Sequence, residues 1–220
     1  MNRYSPARHT LRVVAVMLLV ILMAAPGHGA FSWAGVTRDT QRSVVRLELS
    51  GVEDGREYRG MCSAFSINRA KNYYLTVGHC YGQVMRVGQH TAHPIFYDYS
   101  KDLMVVWIPG ITRPALKHAK GSAAAGTPVA AVGFAGGLEQ SSVRVGAVAV
   151  ADILMSITIG GEMFRERFVL TDFPFIGGQS GGPLVNQRGE VISVLQASNG
   201  VMGLGRPLSV VLGAVESYWE

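Results

Sequence analysis

From Val44 onward the chain is a succession of short runs in which apolar and polar residues alternate, beginning with Val44-Val45-Arg46-Leu47-Glu48-Leu49 and continuing over residues 58–67. Side chains two apart on an extended backbone share a face, so a period of two predicts strands with one side buried. Further strands are expected over 73–77, 83–87, 103–108, 128–134, 143–150, 167–170, 183–186 and 190–196. Gly51 to Gly55, Gly136-Gly137 and Gln187-Arg188-Gly189 supply turns between them. A helical period is expected only over about 208–218, its apolar face packing on the second half of the chain. The pattern breaks between Gly110 and Gly126, where Pro114, Gly121 and the run Ser122-Ala123-Ala124-Ala125 read as a linker. Many short strands separated by turn signals predict an all-β barrel or sandwich.

The N-terminus follows a different pattern. Arg3, Arg8 and Arg12 precede an unbroken apolar run from Val13 to Ala25, and Pro26-Gly27-His28-Gly29-Ala30 follows. This predicts a signal peptide over residues 1–30, leaving a domain over 31–220. The apolar run is shorter than the ~20 residues a spanning helix needs, so no stable membrane span is expected after cleavage, an uncleaved anchor being the alternative. The formal charge is +5, and the three arginines of the first segment reduce it to +2 for the remainder. A balance so close to neutral, with no basic run interleaved with aromatics, gives no reason to expect nucleic acid as a partner.

Candidate chemistry sits in three places. In Gly177-Gly178-Gln179-Ser180-Gly181-Gly182-Pro183-Leu184 one serine stands among glycines, whose bare backbones can turn consecutive N–H groups toward one point. Ser180 is the expected nucleophile, and the N–H groups of Gly178 and Ser180 the expected oxyanion donors. Tyr74-Leu75-Thr76-Val77-Gly78-His79-Cys80 ends a β-prone run in a histidine. Neutral imidazole is available near neutral pH to take a serine proton, which makes His79 the expected general base. Asp102 opens the apolar run Leu103 to Ile108 and is the expected carboxylate partner, with Asp98, in a stretch that reads as loop, as its rival. The only cysteines, Cys62 and Cys80, flank an expected hairpin and in an exported chain read as a disulfide; two free thiols, or a metal site with His90 or His93, are the alternatives.

Taken together, TVGHC, KDLMVV and GGQSGGPL, in this order, resemble the trypsin-like serine protease family. The approach Leu170 to Ser180 is similar to that of bacterial high-temperature-requirement proteases, with no peptide-binding domain expected after it. The resemblance implies two six-stranded-type antiparallel β-barrels, over about 36–115 and 122–212, with a cleft between them and a short C-terminal helix. It also implies a His79, Asp102, Ser180 triad, no cofactor or metal, and a bridge beside the histidine. Gln179 stands where trypsins carry an aspartate that pairs with a newly cut N-terminus, so activation by such cleavage is not expected. Pro174 occupies the position resembling the base of the primary pocket. Without a carboxylate there, and with Phe175, Gly203 and Gly205 as walls, small or medium uncharged residues are expected before the scissile bond. Arg206, if turned inward, would favour acidic residues instead, while Asp172 reads as a turn-capping carboxylate.

These features lead to the expectation of a secreted or periplasmic serine endopeptidase acting on polypeptides through an acyl-enzyme. The alternatives are a secreted, latent or non-catalytic binding protein on the same fold and, less compatible with the strands, an esterase-like hydrolase.

Overall fold

The computed structural model describes residues 31–159 and 161–219; the expected signal sequence over 1–30 lies outside them. The first half carries β1 (Val44–Glu53), β2 (Arg56–Asn68), β3 (Tyr73–Thr76), β4 (Val84–Val87), β5 (His90–Thr91), β6 (His93–Asp98) and β7 (Leu103–Trp107). They form one curled antiparallel sheet in the order β5-β4-β1-β2-β3-β7-β6. The second half carries β8 (Pro128–Gly133), β9 (Ser142–Ile159), β10 (Glu162–Thr171), β11 (Pro183–Asn186), β12 (Val191–Ser198) and β13 (Gly203–Pro207), which close into a barrel in the order β10-β13-β12-β11-β8-β9. The all-β, two-barrel architecture with a C-terminal helix is therefore as expected. The first sheet has seven strands because the short β5 adds a rung beyond β4.

The alternation read from the sequence sets the register. In β1, Val45 and Leu47 are buried while Arg46 and Glu48, on the other face, stand half-exposed. Directly opposite on β2, Leu47 meets Cys62 and Val45 meets Ala64, so the apolar positions of both strands share the core face. Cys62 and Cys80 form a disulfide with Cα atoms 6.1 Å apart, linking β2 to the turn that carries His79. Closing this loop removes chain entropy from the unfolded state, typically about 2–4 kcal/mol of stabilisation.

Several elements differ from expectation for identifiable reasons. A helix, α1 (Trp33–Ser43), precedes β1, so the C-terminal helix is not the only one. The buried positions of α1 are Thr37, Thr40 and Ser43, which carry no apolar signal; Thr37 and Thr40 return their hydroxyls to the carbonyls of Trp33 and Val36, both at 2.8 Å. The edge strand β6 was not legible because Pro94 and a register shift after it break the alternation, and its residues lie mostly exposed. Strand β13 is rich in glycine, and β9 continues nine residues beyond Val150, pairing with β10 as a two-stranded ribbon.

The C-terminal helix α2 (Leu208–Trp219) buries Leu208, Val211 and Val215. It packs on the second barrel, as expected, and reaches the first sheet as well. The Trp219 ring lies 6.1 Å from Phe65, and Tyr218 packs against Tyr73 and Phe96, all of the first sheet. A second tie between the halves is Arg206 of β13, which is 1% exposed. Its guanidinium pairs with Glu166 at 3.0 Å and donates to the Lys101 carbonyl at 3.1 Å. No helix among the described residues is long and apolar enough to cross a membrane.

Candidate active site

His79 sits in a single helical turn, Gly78–Cys80, at the end of β3, and Asp102 immediately precedes β7, the strand paired with β3. Strand pairing therefore brings the two side chains together. His79 Nδ1 lies 2.8 Å from Asp102 Oδ2 and 3.1 Å from Oδ1, and the His79 main-chain N–H donates to Oδ1 at 2.6 Å. Asp102 is 1% exposed and has φ +48°. This left-handed backbone is uncommon outside glycine but tolerated by Asp. Gly78 fits the same geometry, since a Cβ there would stand 3.1–3.2 Å from the Asp102 and Leu103 backbone. The glycine thus allows the close approach of the two chain segments.

Asp98, the rival carboxylate, points elsewhere. It accepts from the Ser100 hydroxyl and the Lys101 main-chain N–H, and it pairs with the Lys101 ammonium. His90 meets the Pro109 carbonyl at 3.0 Å and His93 stacks on Trp107, so neither joins the disulfide-bonded Cys62 and Cys80 as a ligand set.

Sequence reasoning overlooked Gln196. This residue is 3% exposed at a register shift on β12, and its Nε2 donates to Asp102 Oδ2 at 2.5 Å. Its main-chain carbonyl accepts from the Ser180 hydroxyl at 3.2 Å. A bulge re-aims a side chain, and here it directs an amide from the second barrel onto a carboxylate of the first. The available signal was a polar residue ending the apolar run Val191 to Leu195.

Burial opposes ionisation of Asp102, but the hydrogen bonds and charge of His79 and the Gln196 amide outweigh it, holding the carboxyl below the usual range. A depressed folded value means that the stabilisation is complete above the unfolded value of about 3.9 and is lost as pH falls through the folded one. The gap in thermal midpoint between wild type and Asp102→Asn is therefore expected to narrow as pH drops below about 4. A gap that stays constant from neutral to acid pH would show that this carboxylate contributes no such linkage.

The nucleophile loop is braced from several sides. Ser63 of β2 donates its N–H to the Ser180 carbonyl and its hydroxyl to the Gly178 carbonyl, both at 2.8 Å. Gln179 is fully buried; its Oε1 accepts from the Ile176 N–H at 2.8 Å and its Nε2 donates to Ser142 Oγ at 3.2 Å. The neutral amide thus holds the loop through internal hydrogen bonds. Gly178 has φ +91°, and a Cβ there would collide with the Phe134 carbonyl oxygen. The Gly177 carbonyl is held by the Gly136 N–H at 2.7 Å. Because C=O and N–H of a trans peptide point in opposite directions, that bond turns the Gly178 N–H away from Gly136. Among the described residues, neither the Gly178 nor the Ser180 N–H has an acceptor. The Ser180 hydroxyl rests on Gln196 rather than on His79, a loose geometry common in unliganded sites.

Around the expected pocket, the Phe175 ring lies against Gly203, where any Cβ would strike it, and stacks edge-on with Phe173 at 6.0 Å. Pro174 is half-buried and its carbonyl accepts from Arg144 at 3.2 Å. Gly205 faces Ser193 instead, so only Gly203 of that pair stands against Phe175. Asp172 caps the Ala147 N–H at 2.8 Å, and Arg206 is engaged with Glu166 and Lys101.

Residues 36–194 match the family described as trypsin-like peptidase domain, and the chain belongs to that family. It is accordingly a trypsin-like serine protease, a hydrolase, with a chymotrypsin-like fold. Among solved structures it is similar to the Rv3671c protease from M. tuberculosis in its active form, at 22% identity and TM-score 0.73, covering 86% of each chain. The inactive form of the same protease matches at 21% identity and TM-score 0.66, over 86% of this chain and 95% of that one. An HtrA-type protease, AlgW, with a decapeptide matches at 20% identity and TM-score 0.66, over 84% of this chain and 67% of that one. At these identities the likeness speaks to the fold. No curated protein matches the sequence.

Proposed function

We propose that this chain is an exported serine endopeptidase that hydrolyses peptide bonds through an acyl-enzyme, with Ser180 as nucleophile, His79 as general base and acid, and Asp102 orienting the imidazole. The observation that carries this reading is the buried Asp102 carboxylate, which accepts from both the main chain and the ring of His79 and from Gln196, whose carbonyl in turn accepts from the Ser180 hydroxyl. Rotation of the Ser180 hydroxyl from Gln196 toward His79 lets the imidazole take its proton as the oxygen attacks the substrate carbonyl. The carbonyl π electrons move onto oxygen, which is met by the N–H groups of Gly178 and Ser180. Collapse of this intermediate expels the amine, protonated by His79, and water then repeats the sequence to release the acid.

The expected pocket residues Pro174, Phe175, Gly203 and Gly205 offer no carboxylate, which supports a preference for small or medium uncharged residues before the scissile bond. The disulfide suits an oxidising compartment, in keeping with residues 1–30 as a signal peptide and 31–220 as the exported domain. The barrels would then span about 36–115 and 122–212, and the partner is a polypeptide substrate. A latent or non-catalytic binding protein is the second reading, favoured by the resting position of the Ser180 hydroxyl on Gln196.

Fluorophosphonate labelling followed by mass spectrometry separates the two readings. The endopeptidase reading expects an adduct on Ser180 of the wild type and none in Ser180→Ala; folded wild type that stays unlabelled would favour the latent protein.

A further inference from the structure

Where β9 and β10 run on together as a ribbon, each leaves an edge without a neighbour. On its other side β9 pairs with β8 only from Ser142 to Ala147, after which Val148 exchanges main-chain hydrogen bonds with Gly126 and Thr127. Beyond that point, among the described residues, the outer edge of β9 meets no strand, and β10 pairs with β13 only at Val169 and Leu170. A row of unpaired N–H and C=O groups is a template for another strand, and soluble proteins usually guard it with charge, proline or a bulge. The two edges differ in this respect. Strand β10 carries Arg165, Glu166 and Arg167 in succession. Over residues 151–159, β9 carries one charge, Asp152, which Arg167 pairs, and neither proline nor glycine. Leu154 stands 51% exposed on this unguarded stretch.

The open edge also has a symmetric sequence. Ile153, Met155 and Ile157 share one face and pack beside Phe168, Leu170 and Leu204, while Leu154, Ser156 and Thr158 face the other way and are exposed. When a strand pairs antiparallel with its own copy about a two-fold axis, residues equally spaced from the centre oppose each other. With Met155 at the centre, Ile153 meets the second copy's Ile157, Leu154 meets Ser156, and Asp152 meets Thr158. Three apolar side chains from each copy then form one row on one face, and no like charges are opposed. Strand β10 lacks this property: centred on Arg165 it opposes that arginine to itself, and centred on Glu166 it opposes Arg165 to Arg167. Charge and pattern together therefore select the β9 edge and a second copy of the chain as its occupant.

We propose that β9 is a self-association edge, through which two copies pair antiparallel over residues 151–159 about Met155 and join their ribbons into one four-stranded sheet. A two-stranded ribbon is marginal in water, and the added strands give it the neighbours it lacks. Sedimentation velocity of the full chain carrying Ser180→Ala, which prevents self-digestion, is expected to show twice the chain mass at ~50 µM. Met155→Lys opposes two ammonium groups at the axis and should weaken association by about tenfold or more. Single cysteines locate the axis. Directly opposed Cα atoms of an antiparallel pair lie about 4.5–5.5 Å apart, within disulfide reach. Met155→Cys should therefore give a covalent dimer on air oxidation, while Thr158→Cys, three positions off the axis, should not. A monomer at every concentration, an association that Met155→Lys leaves unchanged, or cross-linking of Thr158→Cys as fast as of Met155→Cys would overturn the proposal. Should Met155→Lys fail to fold, the two cysteine variants still decide.

Discussion

Ser180→Ala is expected to lower kcat/KM on a peptide substrate by about 10⁴-fold or more and to leave the fold intact. The side-chain hydroxyl makes one hydrogen bond, to the Gln196 carbonyl, whereas the contacts that anchor the loop run through the Ser180 main chain and through Ser63 and Gln179. Losing the hydroxyl therefore removes about 1 kcal/mol at most from stability, while it removes the only proposed group that bonds covalently to substrate. Steady-state kinetics and thermal unfolding of the same preparation check both halves. Turnover within tenfold of wild type would exclude Ser180 as nucleophile.

Asp102→Asn is expected to reduce kcat by about 10⁴-fold, with a smaller change in KM. The carboxylate accepts from the His79 N–H, the His79 ring and the Gln196 amide, so all of its hydrogen-bonding capacity is directed at donors. An asparagine has one acceptor oxygen and an NH₂ group, which meets the His79 main-chain N–H at the Oδ1 position or the Gln196 amide and the ring at the Oδ2 position, donor against donor. If the NH₂ group faces His79, the ring can only accept at Nδ1, leaving its proton on Nε2 and disabling the imidazole as a base toward Ser180. A kcat within tenfold of wild type would show that Asp102 does not orient the base.

The elements that the sequence disclosed were those where one type of side chain does one job. Strand β11 was legible to the residue because Pro183 to Asn186 lies between a glycine loop and a Gln-Arg-Gly turn. The positions of His79, Asp102 and Ser180 followed from motifs, and the pairing of β3 with β7 brings the first two together. What stayed hidden was structure stabilised in less direct ways. Helix α1 buries Thr37 and Thr40, whose hydroxyls satisfy their own helix carbonyls, and β9 extends as a ribbon whose run Ile153-Leu154-Met155 gives no alternating signal. Gln196 was hidden because its role depends on a bulge and on a residue 94 positions earlier in the chain. Arg206 posed the opposite difficulty. Its charge offered a place in the pocket only as an alternative, if turned inward, and the fold uses it to join β13 to the segment just before Asp102.

Ser63 gives the arrangement a further property. One residue of the first barrel holds both the Gly178 and the Ser180 carbonyl of a loop that belongs to the second. Separation of the barrels would release both peptides at once, leaving the loop only the bonds it makes within the second barrel, among them those of Gln179 and of the Gly177 carbonyl. Full bracing of the serine loop is thereby a property of the completed chain: a molecule with one barrel formed lacks both Ser63 bonds.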